Sequence, residues 1–380
     1  LSDLISVKYG KDHKKLDDGP YPVYGSGGIM RYVDTFLYDK PSVLLPRKGT
    51  LDNIQYADKP FWTVDTVYYT EVNENIVNPY YLYCYLSRLD LSGLDSGTGV
   101  PSMTFDSYYN ISVELPPLIE QQKIASTLSA IDKKIVLNRE INRNLEALAK
   151  QIYDYYFVQF DFPNESGKPY KSSGGKMVWN EQLGREIPAG WEVKSIFDAA
   201  DVIYGFPYAT EPFDEDIEHS EKPFSVIRIR DISDNSISAK TDEMVDEKYQ
   251  TKRNDLLIGM DGYFHMNFWS RDGDYVNQRI TRVRETDISP LLIYHQIKPF
   301  IKHREEMSKG STVGHLSDKD MKQLFILIPS DKSISNYFDK ILDMITVNQN
   351  EKKQLSNLRN NLLPLLMNGQ VTLNSCLSAD

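Results

Sequence analysis

A repeat at one fixed distance constrains this chain more than any other feature. Ser42–Gly49, SVLLPRKG, resembles Asp255–Gly262, DLLIGMDG, with Gly49 and Gly262 213 positions apart. The same offset carries Gly97–Val100, GTGV, onto Gly310–Val313, GSTV, and the strand-like Ile111–Pro116, ISVELP, onto Leu324–Pro329, LFILIP. Near the start the offset falls to 195, where Tyr9-Gly10 matches Tyr204-Gly205. Loops of unequal length absorb the difference, and loops are where binding specificity varies. A period this long, met twice, predicts two copies of one domain.

Each copy runs into an apolar ladder with alternating steps of four and three. The first reads Ile124, Leu128, Ile131, Ile135, Asn138, Asn142, Leu145, Ala149, Ile152 and Tyr156. Adding 210 gives Ile334, Phe338, Ile341, Ile345, Asn348, Lys352, Leu355, Arg359, Leu362 and Leu366. Sustained over several heptads, this is a helix–helix seam. Two ordinary amphipathic helices in separate bundles are the plainer reading. Asn138 and Asn348 fall at equivalent positions, where a polar residue fixes register at some cost in stability. A helix over roughly residues 119 to 157 would be about 55–60 Å long. Two such helices can pair antiparallel, with the domains at opposite ends of a rod and a pseudo-twofold axis between them.

Within each domain short strands are expected. Val43–Leu45 and Val64–Tyr69 are β-branched or aromatic, as are Phe224–Arg230 and Ile280–Arg284. Asn78-Pro79 opens a short helix over Tyr80–Leu89, matched by Pro290–Ile301. Phe162–Lys176, rich in Pro, Gly and Ser, reads as an exposed connection. The expected divisions are a first domain over 1–117, a helix over 118–160, a linker over 161–186, a second domain over 187–330, a helix over 331–371 and a tail over 372–380.

The motifs that do chemistry are missing. Asn78-Pro79-Tyr80-Tyr81 lacks the second proline of an adenine-methyltransferase motif and reads as a helix start. Tyr24–Gly28, YGSGG, is a turn that could present backbone amides to phosphate, and it opens no clear helix. Asp214, Glu215 and Asp216 with Glu218 and His219 read as a solvated loop before they read as a metal cluster. The six histidines, His13, His219, His265, His295, His303 and His315, show no ligand spacing, and no P-loop is present. Two cysteines, Cys84 and Cys376, build neither a disulfide framework nor a zinc site and suit a reducing cytoplasm. No apolar run is long enough for a membrane span and no signal sequence opens the chain.

At this point the chain resembles the specificity subunits of type I restriction–modification enzymes. Leu115–Ala125, LPPLIEQQKIA, followed by Leu128–Ile135, LSAIDKKI, is similar to the start of that family's first conserved helical region. Ile187–Val193, IPAGWEV, is similar to the start of its second recognition domain. The resemblance spans essentially the whole chain. It implies an α+β fold, with two α/β target-recognition domains in pseudo-twofold arrangement separated by two long helices forming an antiparallel coiled coil. It implies double-stranded DNA and two methylase subunits as partners, and restriction subunits in complexes that cleave. S-adenosylmethionine, ATP and Mg would belong to those partners, and this chain would carry no catalysis. Two departures stand out. No Pro-x-Gly-Trp precedes the first domain, so its leading edge is expected to be missing. Pro329–Phe338 lacks the Glu-Gln-Gln signature.

For DNA contacts, residues able to pair with base edges in loops beside glycine are chosen. In the first copy they are Arg31, Arg47, Lys48, Gly49, Asn53, Gln55, Thr98 and Ser102. In the second they are Arg228, Arg230, Tyr263, His265, Asn267, Gln278, Arg279, Lys309 and Ser311. The net charge of -11 opposes simple electrostatic binding. Partner subunits that embrace the duplex would resolve this. A coiled-coil scaffold that binds only proteins is the main alternative, and a self-contained nuclease or methyltransferase a weaker one.

Overall fold

The computed structural model describes residues 1–49, 51–91, 101–208, 213–286, 288–308 and 314–373. The chain divides into two compact units. One holds Leu1–Lys134 with Leu355–Asp380, the other Ile135–Gln354. Each unit therefore owns one globular domain and a part of both long helices.

In the first unit the strands are β1 (Ile5–Tyr9), β2 (Tyr21–Gly25), β3 (Gly28–Val33), β4 (Ser42–Pro46), β5 (Gln55–Ala57), β6 (Trp62–Thr63) and β7 (Val67–Val72). They form a four-stranded sheet in the order β1-β7-β4-β5 and a three-stranded sheet in the order β3-β2-β6. β4 is buried along its whole length because it has a core on each face. Val43 and Leu45 pack with Tyr81, Leu82 and Leu86 of α1 (Pro79–Leu86), while Leu44 packs with Ala57, Phe61 and Val67. Asn78 caps α1 by accepting the Tyr81 N–H, and Pro79 occupies the first turn, where a missing N–H costs nothing. A short α2 (Phe105–Tyr109) follows, capped by Thr104.

The second unit repeats the plan after α3 (Leu118–Tyr153), which ends in a π-helical turn, Asp154–Val158. A hairpin of β8 (Met177–Asn180) and β9 (Arg185–Pro188) leads to β10 (Glu192–Ser195), α4 (Ile196–Ala199), β11 (Ala200–Tyr204) and β12 (Phe224–Ile227). Then come α5 (Ile229–Ile232), β13 (Lys240–Thr241), β14 (Leu256–Gly259), β15 (Met266–Phe268), β16 (Tyr275–Val276) and β17 (Ile280–Glu285). α6 (Pro290–Ser308), α7 (Asp318–Met321), β18 (Phe325–Ile328) and α8 (Ser333–Met367) complete the chain. The sheet orders β11-β17-β14-β15 and β13-β12-β16 copy those of the first unit.

The copying extends to register. Ile5 opposes Val72 as Ala200 opposes Glu285, and Leu45 opposes Tyr68 as Ile258 opposes Thr281. Tyr24 pairs with Thr63 as Ile227 pairs with Val276, in parallel in both cases. The offset is thus 195 in the first strand, 203 in the second and 213 beyond. The Tyr-Gly match has a steric cause. A Cβ on Gly10 would press on the Val64 carbonyl and one on Gly205 on the Asn277 carbonyl, each well under the 3.0 Å that real Cβ atoms keep.

Within each unit the two long helices run antiparallel. In the first, Asp132 pairs with Arg359 (2.6 Å), while Ile124 and Leu128 share a core with Leu363 and Leu366. Asp132 also accepts a short hydrogen bond from the Tyr80 hydroxyl. In the second, Asn138 donates to Glu351 (2.8 Å), Asn348 to Asn142 (2.9 Å) and Asn142 to the Ile345 carbonyl (2.9 Å). Asn138 and Asn348 thus do not pair with each other. Each finds a partner one turn away, and these bonds define one register.

Ile135, Ile334, Phe338, Ile341 and Ile345 are buried, and Ile131, Leu145, Ile152, Leu355 and Leu362 are partly so. Toward the domain, Leu145, Ala149 and Ile152 join a core with Ile334, Phe338, Ile341 and Ile345 and with α6. There the ladder faces a globular core as well as its partner helix.

Four sequence expectations change. Ile111–Pro116 forms no strand, although its counterpart β18 pairs with β10. Here the Leu1 nitrogen donates to the Tyr109 and Ile111 carbonyls. The strand expected over Phe224–Arg230 stops at Ile227, because Asp231 accepts the Arg228 N–H (2.8 Å) and starts α5. Val64 lies in a turn before β7. The connection after Phe162 is largely exposed yet folded. Phe162 stacks between Tyr170 and Trp191, at 4.8 and 5.1 Å, and the β8–β9 hairpin ends it.

Candidate nucleic-acid interface

The repeat converges on one loop cluster in each unit. In the first, the turn after β4 is stitched to the segment before α2: Gly49 N–H donates to Pro101 (3.0 Å) and Met103 N–H to Arg47 (3.0 Å), with Lys48 opposite Ser102. In the second, Gly262 N–H donates to Gly314 (2.9 Å) and Leu316 N–H to Met260 (2.7 Å), with Asp261 opposite His315. Every partner is displaced by 213. Gly49 and Gly262 both take positive φ, at 92° and 71°, a conformation that favours glycine at this place.

The side chains on this common backbone differ. In the first unit Lys48 is exposed. The Arg47 guanidinium lies over the Tyr9 ring (5.5 Å) and donates to the Asp65 carbonyl (3.0 Å). Tyr9 meets Phe105 edge-on. In the second unit Asp261 replaces Lys48 and is held by His315 Nδ1 (2.6 Å) and Arg279 Nε (3.2 Å). Tyr204, the counterpart of Tyr9, donates to Asp318 (2.7 Å), the counterpart of Phe105. Burial first, and then Asp318, pushes the Tyr204 phenol upward, so it stays a donor. A cationic, aromatic tip in one unit thus corresponds to a tip of paired charges in the other.

Of the candidate contacts, Lys48, Tyr263, His265, Gln278 and Arg279 are exposed at or beside these tips. Ser102 sits on the bridge to Lys48. Others are occupied within the fold. Arg31 binds Asp18 (2.6 Å) and the Leu16 carbonyl. Asn53 and Gln55 donate to the Ser26 and Gly25 carbonyls (2.6 and 2.8 Å), which fixes the YGSGG turn between β2 and β3. Arg228 and Arg230 share Glu215 and Ser238. The hydrogen bond and charge of Arg228 hold the Glu215 carboxyl below its usual range. Asn267 donates to the Ile232 and Ser233 carbonyls. Thr98, Lys309 and Ser311 lie outside the described residues, as do both Gly-Thr/Ser matches and Cys376.

The acidic stretch is parcelled out in the same way. Glu215 goes to the two arginines and Asp216 to His219 (3.0 Å). Among the described residues no three His, Cys, Asp or Glu side chains are grouped to hold a metal, and no helix is long and apolar enough to cross a membrane.

Two features escaped the reading of the sequence. Gln121, from the Glu-Gln-Gln signature, is buried, accepts the Asn78 N–H (2.9 Å) and donates to the Ile76 and Pro116 carbonyls, so it ties α3 to α1. In the second unit Ser335 Oγ accepts the Ser289 N–H (2.7 Å) and ties α8 to α6. The second feature is ionic. Arg282, fully buried on β17, pairs with Asp201 (2.8 Å), and Arg284 clasps Asp255 with two bonds of 2.7 and 2.8 Å. Ser42, at the position of Asp255, instead bonds Thr70 on β7.

Known proteins share this design. The chain is 23% identical over 357 residues to the MjaIX specificity subunit of a type I restriction enzyme from Methanocaldococcus jannaschii, covering 88% of this chain and 78% of that one. It is 24% identical over 373 residues to the HindI specificity subunit from Haemophilus influenzae, covering 79% of each. Its fold matches the crystal structure of a type I restriction–modification S subunit from M. genitalium with a TM-score of 0.64 and 16% identity, covering 96% of this chain and 94% of that one. Residues 1–147 and 188–357 match the family described as type I restriction modification DNA specificity domain, and the chain belongs to that family.

Proposed function

We propose that this chain is the DNA-recognition subunit of a type I restriction–modification complex. Each domain reads one half of a bipartite, gapped DNA site. The paired helices set the spacing between the halves and dock two methylase subunits. The observation that carries this reading is one backbone scaffold bearing two different loop tips, Arg47-Lys48-Gly49 and Met260-Asp261-Gly262. Identical scaffolds with different side chains suit two different half-sites, since base edges are read by side chains in the groove.

The acidic sum then has a physical account. Partner subunits supply most phosphate contacts, and this chain supplies readout. The chemistry belongs to the partners: adenine methylation with S-adenosylmethionine, and cleavage with ATP and Mg where restriction subunits join, in the cytoplasm. This chain binds and orients DNA and transfers no group. A protein-only scaffold predicts no DNA protection. The test is footprinting of the chain with its methylase partner on a library of gapped sites. Protection of two short half-sites across a fixed spacer is expected. Sequence-specific binding by the isolated chain, unchanged by the methylase, would contradict the division of labour.

A further inference from the structure

Rested on the first unit's loop cluster is a surface that the loop tips do not explain. Among the described residues β3 is an edge strand, paired with β2. Its Ile29, Met30 and Tyr32 are 49%, 60% and 50% exposed. The β2–β3 register slips between the Val23–Arg31 and Tyr24–Ile29 pairs, leaving Met30 as the extra residue of a β-bulge, so Ile29, Met30 and Tyr32 stay exposed while Val23 and Val33 are buried. An exposed apolar edge strand is a liability that proteins normally blunt or cover.

This ribbon is held firmly. Asn53 and Gln55 grip its turn, and Arg31 fastens β3 to the loop after β1 through the Leu16 carbonyl and Asp18. Val23 and Val33 pack beneath it with Val64. A Cβ on Gly49 would lie 3.3 Å from Ser26 Oγ, so the ribbon turn abuts the tip that carries Lys48.

Exposed lysines lie on the loop beside the ribbon. The loop bound by Arg31 exposes Lys11, Lys14 and Lys15, and Trp62 Nε1 pins it through the Lys11 carbonyl (2.9 Å). Of its three carboxylates, Asp18 is paired with Arg31, Asp12 accepts the Lys14 N–H and Asp17 is exposed. A two-stranded ribbon fits the major groove of B-DNA, and the one apolar group offered there is the thymine C5-methyl. Lysines on either side would meet the flanking phosphates.

We propose that the β2–β3 ribbon of the first domain enters the major groove and reads thymine methyl groups with Ile29, Met30 and Tyr32. The inference rests on the proposed DNA-recognition role and adds a rule about one half-site. Among the described residues the second domain shows no such ribbon. There β12 gives way to α5, and its antiparallel partner β13 is only two residues long.

The experiment uses the complex of this chain with its methylase partner and the gapped sequence found by methylation mapping. Binding is measured by fluorescence anisotropy on DNA with deoxyuridine replacing thymidine in one half-site at a time. Loss of a contacted methyl in the first half-site should weaken binding about fourfold, the size expected for one buried methylene-sized group. Uracil in the second half-site should have no effect. The surface variant Ile29→Ala/Met30→Ala should bind thymine and uracil DNA alike. A first half-site without thymine on either strand, indifference of the unaltered complex to uracil there, or variants that lose the methylase rather than the methyl preference would each overturn the ribbon's role. Failure of the complex to bind any gapped site would overturn the DNA-recognition reading itself.

Discussion

Replacing Gly205 with Ala tests the repeat at the level of single atoms. The added Cβ would collide with the Asn277 carbonyl, which is backbone and cannot swing away. The chain after β11 must therefore shift from the strands it crosses. Two hydrogen bonds are at risk, Gly205 N–H to Ile280 (2.9 Å) and Phe206 N–H to Val276 (2.8 Å). Each contributes about 1 kcal/mol net, and overpacking adds about 1–3 kcal/mol. Alanine also narrows the unfolded ensemble, which returns about 0.4–1 kcal/mol. The expected cost is about 2–4 kcal/mol. Gly10→Ala should cost a similar amount, because the Val64 carbonyl stands where Asn277 does and Lys11 N–H bonds Thr63 (2.8 Å) as Phe206 bonds Val276. Gly262→Ala is the control. Its Cβ would meet open space at φ 71°, so only left-handed strain of about 1 kcal/mol is expected. Urea unfolding followed by circular dichroism and Trp fluorescence measures all three. Gly10→Ala and Gly205→Ala proteins that unfold at the wild-type urea concentration would refute the steric reasoning.

Three further outcomes follow from the same geometry. Arg359→Ala leaves Asp132 and Tyr80 without their cation in a partly buried setting and should cost about 1–3 kcal/mol, with a double-mutant cycle against Asp132→Asn showing clear coupling. Burial pushes the His295 imidazole down to about 4, with Lys298 and Lys150 adding to the shift. The unfolded chain binds the extra proton between about 6.5 and 4, so this stability is whole above about 6.5 and drains away as pH falls toward 4. His295→Phe, which keeps the stack on Tyr153, should flatten thermal stability across that window, and an unchanged slope would count against it. One heptad inserted into both α3 and α8 should change the DNA spacer recognised and leave both half-sites alone.

Much of the fold was legible because the repeat is imposed by backbone sterics. Gly10 and Gly205 have no room for a side chain, and Gly49 and Gly262 sit in turns at positive φ, so glycine recurs where geometry forces it. The ladder was legible because helix burial has a fixed period. What could not be read depends on contacts distant in sequence. ISVELP is as apolar as a strand but has no strand beside it. Arg228 and Arg230 alternate like a strand until Asp231 takes the Arg228 amide and starts a helix. Arg282 sits in an apparently half-polar strand and is nonetheless buried, because Asp201 of β11 and Asp255, just ahead of β14, come to it from elsewhere in the chain. Residues chosen for their hydrogen-bonding capacity, such as Asn53, Gln55 and Asn267, spend it on backbone carbonyls. Composition alone does not separate a side chain that holds a loop from one that the loop presents.

The most direct test of the central claim is a methylation map of DNA modified by this chain and its methylase partner, repeated with Lys48→Asp, which places the second tip's charge on the first. The account predicts two short half-sites separated by a fixed spacer, with the substitution altering or abolishing recognition of one half and leaving the other intact. A single contiguous site, or a substitution that changes both halves together, would contradict it.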